Sequence, residues 1–219
     1  MPCDNPDMMN HTLDQTLRNK SSLTTEKGWE RVHAILQAAR RLLAADGYAG
    51  LSMRRVAAEA GMTLSNVQHY YSSKDVLLEA ALLSTMDEFQ AKMDRISAEM
   101  SDRPRLDQFL STTDMFLEEI TDPVTHALFF EIWALASRNA FASNLMDRML
   151  GRERKTVYNL IRGLNPVIPD EEYMQRAILM VAQIEGLMLF RLDRESRREQ
   201  FMAVRAGVRK VLLNLATVP

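Results

Sequence analysis

From Glu26 onward the large apolar residues recur at the three- and four-residue spacing of a helix. Nowhere do they alternate with polar residues over several positions, as a half-buried strand requires. That single pattern confines the chain to an all-α fold, and its punctuation divides it into about nine helices. Val32, Ile35, Leu36, Ala39, Leu42 and Leu43 form one stripe over residues 26–45, which Gly47 stops. Ser52 suits the N-cap of a short helix to about Ala60, with Met53, Val56, Ala57 and Ala60 inward, and Thr63 suits the cap of the next, roughly 64–70. Ser72 or Ser73 then opens a long helix with Asp75 in its first turn, where the helix dipole favours an anion.

Asp102 and Pro104 fit the start of a helix to about Ile120, and Asp122-Pro123 opens another to about Asn139. One more runs from about 142 to 162, stopped by Gly163. Asn165, Pro166 and Pro169 make a loop. Asp170 caps a helix to about Leu192, and Ser196 begins the last, to about Ala216. Residues 1–24 are polar with few large apolar groups, which predicts a flexible N-terminal arm.

Composition removes several classes of function. The 219 residues, 47% apolar and 26% charged, are those of an ordinary soluble protein with a sizeable core. A net charge of −2 gives no support for nucleic-acid binding, and residues 26–80 carry seven Lys and Arg against six Asp and Glu, a local +1. Cys3 is the lone cysteine, and His11, His33, His69 and His126 show no metal-ligand spacing, so neither a disulfide framework nor a metal is expected. There is no nucleophile–base pair, P-loop or dinucleotide fingerprint, so neither an enzyme nor a cofactor is expected. No apolar run approaches the ~20 residues of a membrane span, and the N-terminus lacks a signal-peptide core. A cytoplasmic location is the expectation.

Functional specificity concentrates at residues 52–71. Two short helices joined by the tight turn Ala60-Gly61-Met62-Thr63 are the helix-turn-helix unit. Ala57, Ala58 and Ala60 allow a close crossing, and Gly61 permits a positive φ at the turn. The spacing turns Val67 and Tyr71 toward the core and Thr63, Leu64, Ser65, Asn66, Gln68, His69 and Tyr70 outward. That outward set is short, hydrogen-bonding or aromatic, and poor in acid, which suits a major groove. Asn66 or Gln68 matches an adenine edge and Leu64 a thymine methyl. Thr63, Tyr70 and Lys74 are better placed for phosphates, with Ser52, Arg54 and Arg55 as further candidates for backbone contact.

The run SMRRVAAEAGMTLSNVQHYYSSKDVLLEAAL, residues 52–82, resembles the N-terminal domain of TetR-type regulators. Val56-Ala57, Ala60-Gly61-Met62-Thr63, Tyr70-Tyr71 and Ser73-Lys74-Asp75-Val76-Leu77 match position by position, as does the upstream run ILQAARRLLAADGYAGLSM with its Gly47-Tyr48. Gln68 departs from the pattern by standing where many relatives carry Tyr, so the operator does not follow by analogy. The resemblance implies a DNA-binding domain at 25–85 and a ligand-binding and dimerisation domain at 86–219. It also implies a homodimeric, ligand-responsive transcriptional regulator, most simply a repressor, acting on double-stranded DNA with a near-palindromic operator.

The second domain supplies residues for both remaining roles. Met86, Phe89, Met93, Phe109, Met115, Phe116, Phe129, Phe130, Trp133 and Met146 are flexible or aromatic apolar groups that fill a core or line a cavity for a small apolar or aromatic effector. Glu118, Glu119, His126, Glu131 and Arg138 are its candidate polar contacts. Residues 177–192 are apolar on more than one face, which requires burial on several sides. Ala182, Gly186, Leu189, Phe201, Val204, Val208 and Leu212 are accordingly the candidate dimer interface. A twofold axis would set two reading helices one helical turn apart, ~34–36 Å, or further. The other function class compatible with the pattern is an all-α ligand-binding or scaffold protein without DNA activity.

Overall fold

A computed structural model describes residues 26–190 and 197–219. The expected N-terminal arm at 1–24 and the Ser196 helix start lie outside the described residues. Within them the chain is helical throughout: α1 Glu26–Gly50, α2 Met53–Glu59, α3 Leu64–Tyr70, α4 Lys74–Glu99, α5 Arg105–Glu119, α6 Pro123–Ala136, α7 Ala140–Ile161, α8 Asp170–Met188 and α9 Arg198–Thr217. They form two compact units, with the division between Asp87 and Glu88 inside α4.

In the first unit, α1 buries Val32, Ile35, Ala38, Ala39, Leu42 and Leu43 along one stripe. Its backbone breaks at Gly47, at φ 66° and ψ −174°, and only a short turn continues to Gly50. The Ser52 side chain caps α2 by accepting from the Arg55 N–H at 3.3 Å. The end of α2 is a Schellman turn: the Met62 N–H donates to the Ala57 carbonyl at 2.8 Å and the Gly61 N–H to that of Ala58 at 3.2 Å, with Gly61 at φ 66°. Thr63 Oγ1 immediately caps α3 by accepting from the Asn66 N–H at 3.2 Å. The caps and the turn thus give local partners to the N–H groups of Arg55, Gly61, Met62 and Asn66 in this corner. Ser73 Oγ opens α4 in the same way, accepting from the Val76 N–H at 3.2 Å.

The second unit packs α8 against α7 and α9 around Phe109, Leu117, Ile161, Tyr173, Ala177, Met180, Phe201, Val208 and Leu212. Asp122 caps α6 through the Thr125 N–H at 2.7 Å. Asn139, expected at the end of α6, instead caps α7 through the Ala142 N–H at 3.0 Å. Asp170 is not a cap either. It lies within the first turn of α8, with Asp170, Glu171 and Glu172 all facing the positive end of the dipole. Arg105, at the start of α5, caps the far end of α7 by donating to the carbonyls of Arg162 at 2.9 Å and of Asn159 and Leu160 at 3.3 Å. Long-range capping of this kind has no signature in local sequence.

Candidate nucleic-acid interface

The Schellman turn and two side-chain caps hold α3 at a fixed angle to α2, and this decides what α3 offers to solvent. Thr63, Ser65, Asn66, Gln68 and His69 are exposed, and Leu64 is half-buried. Val67 is fully buried, as its place on the inner stripe requires. Tyr70 departs from expectation: its residue is only 6% exposed, so it packs inward and not out toward a phosphate. The cause is where α3 ends. Tyr70 is three residues after Val67, on the same stripe. Tyr71 has already left the helix, at φ −127° and ψ 116°, and this extended backbone turns its ring inward as well. The Tyr71 hydroxyl is buried without a hydrogen-bond partner among the described residues, and burial raises its pKa.

At the start of α4, Lys74 and Asp75 meet the last residues of α1. The Tyr48 hydroxyl donates to Asp75 Oδ1 at 2.5 Å, and the Lys74 ammonium stands 3.7 Å over the centre of the Tyr48 ring. The bond to Asp75 is the main cause that pushes the Tyr48 hydroxyl up to about 12, with burial and the carboxylate charge adding to it. Lys74 is half-buried. Desolvation lowers its pKa, and the Asp75 charge opposes that shift.

The arginines of α2 differ from each other. Arg54 is exposed. Arg55 is tied back to the end of α1, donating to the Gly50 carbonyl at 2.8 Å and pairing with Asp46. Its guanidinium therefore fastens α2 to the end of α1. Ser52 accepts in its capping bond as Thr63 does, which leaves the proton of each hydroxyl available to donate.

The second unit brings part of its aromatic set together. Phe89 meets Phe116 at 6.5 Å between ring centres, and Phe129 meets Phe130 at 5.4 Å and Trp133 at 6.0 Å. Met93 and Met115 are half-buried, while Met146 is buried. Trp133 is 41% exposed, and Phe109 belongs to the packed core. Met86 is buried on α4 but falls in the first unit.

Of the candidate polar contacts, Glu119 pairs with Lys92 and Glu118 with Arg205, while Arg138 is exposed. His126 is buried with its Nε2 3.0 Å from the Met188 carbonyl at the end of α8. Glu131 is half-buried.

Two acidic residues escaped the sequence reading. Glu153 on α7 is hydrogen-bonded to Glu185 on α8. Burial is the main cause that raises the Glu153 pKa, and the Glu185 charge and the shared hydrogen bond add to it. Burial also raises Glu185, and the same bond opposes that. The signal was available. Glu153 continues the inner stripe of Met146, Leu150 and Val157, and Glu185 lies between Val181 and Met188.

The expected dimer residues divide. Ala182, Leu189 and Val204 are exposed and Gly186 is half-buried, but Phe201, Val208 and Leu212 are enclosed in the core of their own subunit. The apolar side chains left outside on α8 and α9 are Met174, Ile178, Leu179, Met202 and Val211, with Phe190 just beyond α8.

A capped helix-turn-helix with an acid-poor outer face, carried on an otherwise all-helical chain, defines a DNA-binding transcriptional regulator. Residues 35–81 match the model of the bacterial regulatory proteins of the tetR family. An uncharacterised helix-turn-helix transcriptional regulator from the dhlA 5' region of Xanthobacter autotrophicus is 30% identical over 164 residues, covering 71% of this chain and 77% of that protein. The chain belongs to the TetR family and is a regulator, not an enzyme. The transcriptional repressor KstR of Mycolicibacterium smegmatis is 28% identical over 138 residues, covering 61% of this chain and 68% of its own. Among solved structures, one from Rhodococcus sp. assigned to the TetR family superposes with a TM-score of 0.68 at 22% identity, over 85% of this chain and 98% of that one. Among the described residues no helix is long and apolar enough to cross a membrane.

Proposed function

We propose that the protein is a homodimeric repressor in the cytoplasm that reads a near-palindromic operator with α3 and leaves it when a small apolar or aromatic effector binds the second unit. The observation that carries the proposal is the outer face of α3. Ser65, Asn66, Gln68 and His69 are all exposed donors or acceptors without a carboxylate among them. Asn66 and Gln68 read base edges, while Thr63, Arg54 and Lys74 meet the phosphate backbone. Repression agrees with the relative KstR, which is a repressor.

Dimerisation uses the outer apolar face of α8 and α9. Ile178, Leu179, Leu189 and Phe190 are large apolar groups left exposed, and their burial in a subunit contact would remove them from water. The effector site draws on the half-buried ring pairs Phe89–Phe116 and Phe129–Phe130. An effector shifts the operator equilibrium only by its differential affinity for the bound and free conformations. Helix α4 begins at Lys74 and continues past Glu88, so the same helix carries residues of both units.

The test is a mobility-shift titration against duplex DNA from upstream of the protein's own gene, repeated with cell extract and with a panel of apolar small molecules. The proposal expects a retarded complex that at least one addition dissolves. A retarded complex that nothing dissolves removes the inducible half, and the absence of a specific complex removes the whole.

A further inference from the structure

We propose that Tyr48 is a positioning residue for DNA binding, holding the Lys74 ammonium at the DNA-facing end of α4. The inference rests on the reading of Lys74 as a phosphate contact and adds to it a residue on another helix that no outward-facing pattern identifies. The geometry has two parts. The Lys74 ammonium lies 3.7 Å over the Tyr48 ring, well inside the ~6 Å range at which a cation is drawn to an aromatic face. The ring is itself fixed, because its hydroxyl donates to Asp75 Oδ1 at 2.5 Å. Asp75 is held in the first turn of α4, where Ser73 Oγ accepts from the Val76 N–H. Tyr48 follows the break at Gly47 directly, so the kink delivers the ring to the start of α4.

The arrangement solves a specific problem. A lysine has four rotatable bonds, and a phosphate contact made by a free lysine pays for freezing them. Asp75, the next residue, is also a competing partner for the ammonium. By donating to Asp75, the Tyr48 hydroxyl occupies one of its oxygens, and the ring face offers the ammonium a weaker resting place with no anion to displace. Lys74 is thereby held near its working position without being neutralised by a salt bridge.

A double-mutant cycle tests this on a random-sequence duplex at low salt, where phosphate contacts dominate and no operator need be known. Lys74→Ala is expected to weaken binding and to flatten the salt slope by ~1. Tyr48→Leu is expected to weaken binding on the order of 3-fold, the size of a cation–π contact at a partly exposed site. In the Lys74→Ala background the Tyr48→Leu change is expected to cost nothing further.

Tyr48→Phe retains the ring and loses only the tether to Asp75. It keeps the test available should the leucine variant fold poorly, and its expected loss is smaller and likewise absent in the Lys74→Ala background. An equal loss in both backgrounds, or no loss in either Tyr48 variant, overturns the positioning role while leaving Lys74 in place. If Lys74→Ala itself leaves affinity and salt slope unchanged, both the inference and the reading beneath it fall.

Discussion

Glu153 on α7 and Glu185 on α8 share a hydrogen bond across the helix pair, and burial holds both carboxyls above their ordinary range. A proton on Glu153 makes the pair a hydrogen bond, and its loss makes it two facing anions. The unfolded chain releases that proton near the usual glutamate value of ~4.3, whereas the folded chain keeps it to higher pH. The pair's contribution to stability is therefore complete below that value and is lost as pH rises through the raised native one. Glu153→Gln keeps an N–H donor toward Glu185 and cannot ionise. Its melting temperature is expected to exceed that of the wild type at pH 8, by about 2–4 °C for each kcal/mol relieved. The gap is expected to close near pH 4. Thermal melts of both proteins across this range check the sign. A constant gap would mean the pair does not titrate.

The two turns of the reading unit fail for different reasons. At Gly50 a Cβ would lie 2.4 Å from that of Asp46 and 3.1 Å from the Arg55 guanidinium, so Gly50→Ala must displace the fastening between α1 and α2. A loss of ~1–3 kcal/mol is expected from overpacking of this kind. Gly61 has open space around it but a φ of +66°, and Gly61→Ala is expected to cost ~1–2 kcal/mol from backbone strain alone. Chemical denaturation of both variants checks these values.

Removing the Tyr71 hydroxyl is expected to do no harm. It is buried and unpartnered among the described residues, so folding pays for its desolvation without a return. Tyr71→Phe should be neutral or stabilising, while Tyr71→Ala should lose ~3–5 kcal/mol through the cavity left behind. A destabilised phenylalanine variant would show that the hydroxyl has a partner.

Oligomeric state separates the two apolar sets of the last helices. Ile178→Glu places a charge on the uncovered face of α8 and is expected to give a folded monomer by sedimentation velocity. Leu212→Glu places it in the subunit core and is expected to unfold the protein. A dimeric Ile178 variant with unchanged affinity would move the subunit contact elsewhere.

These contrasts mark where the sequence was legible. Ser52, Gly61, Thr63 and Asp122 act within four residues of themselves, and local spacing placed each of them correctly. Tyr70 was misplaced although it stands three residues after Val67 on the inner stripe: the sequence reading gave that stripe's next place to Tyr71, which has already left the helix and turns inward from extended backbone. Phe201, Val208 and Leu212 were misplaced for a different reason. Helix α9 is apolar on both sides, and amphipathic spacing does not distinguish a subunit's own core from a face kept for another chain. The contacts of Tyr48 with Asp75, and of Arg105 with the end of α7, join residues distant in sequence and became visible only in three dimensions.

The central claim is that α3 reads base sequence. It is tested most directly by fluorescence-anisotropy titration of the wild type and Gln68→Ala on the upstream duplex and on a random duplex of the same length. The account predicts that the wild type prefers the upstream duplex. It also predicts that Gln68→Ala lowers that preference about 5- to 150-fold, the ~1–3 kcal/mol of one bidentate base contact, and leaves affinity for the random duplex intact. An unchanged preference in the variant, or a wild type that does not distinguish the two duplexes, would contradict it.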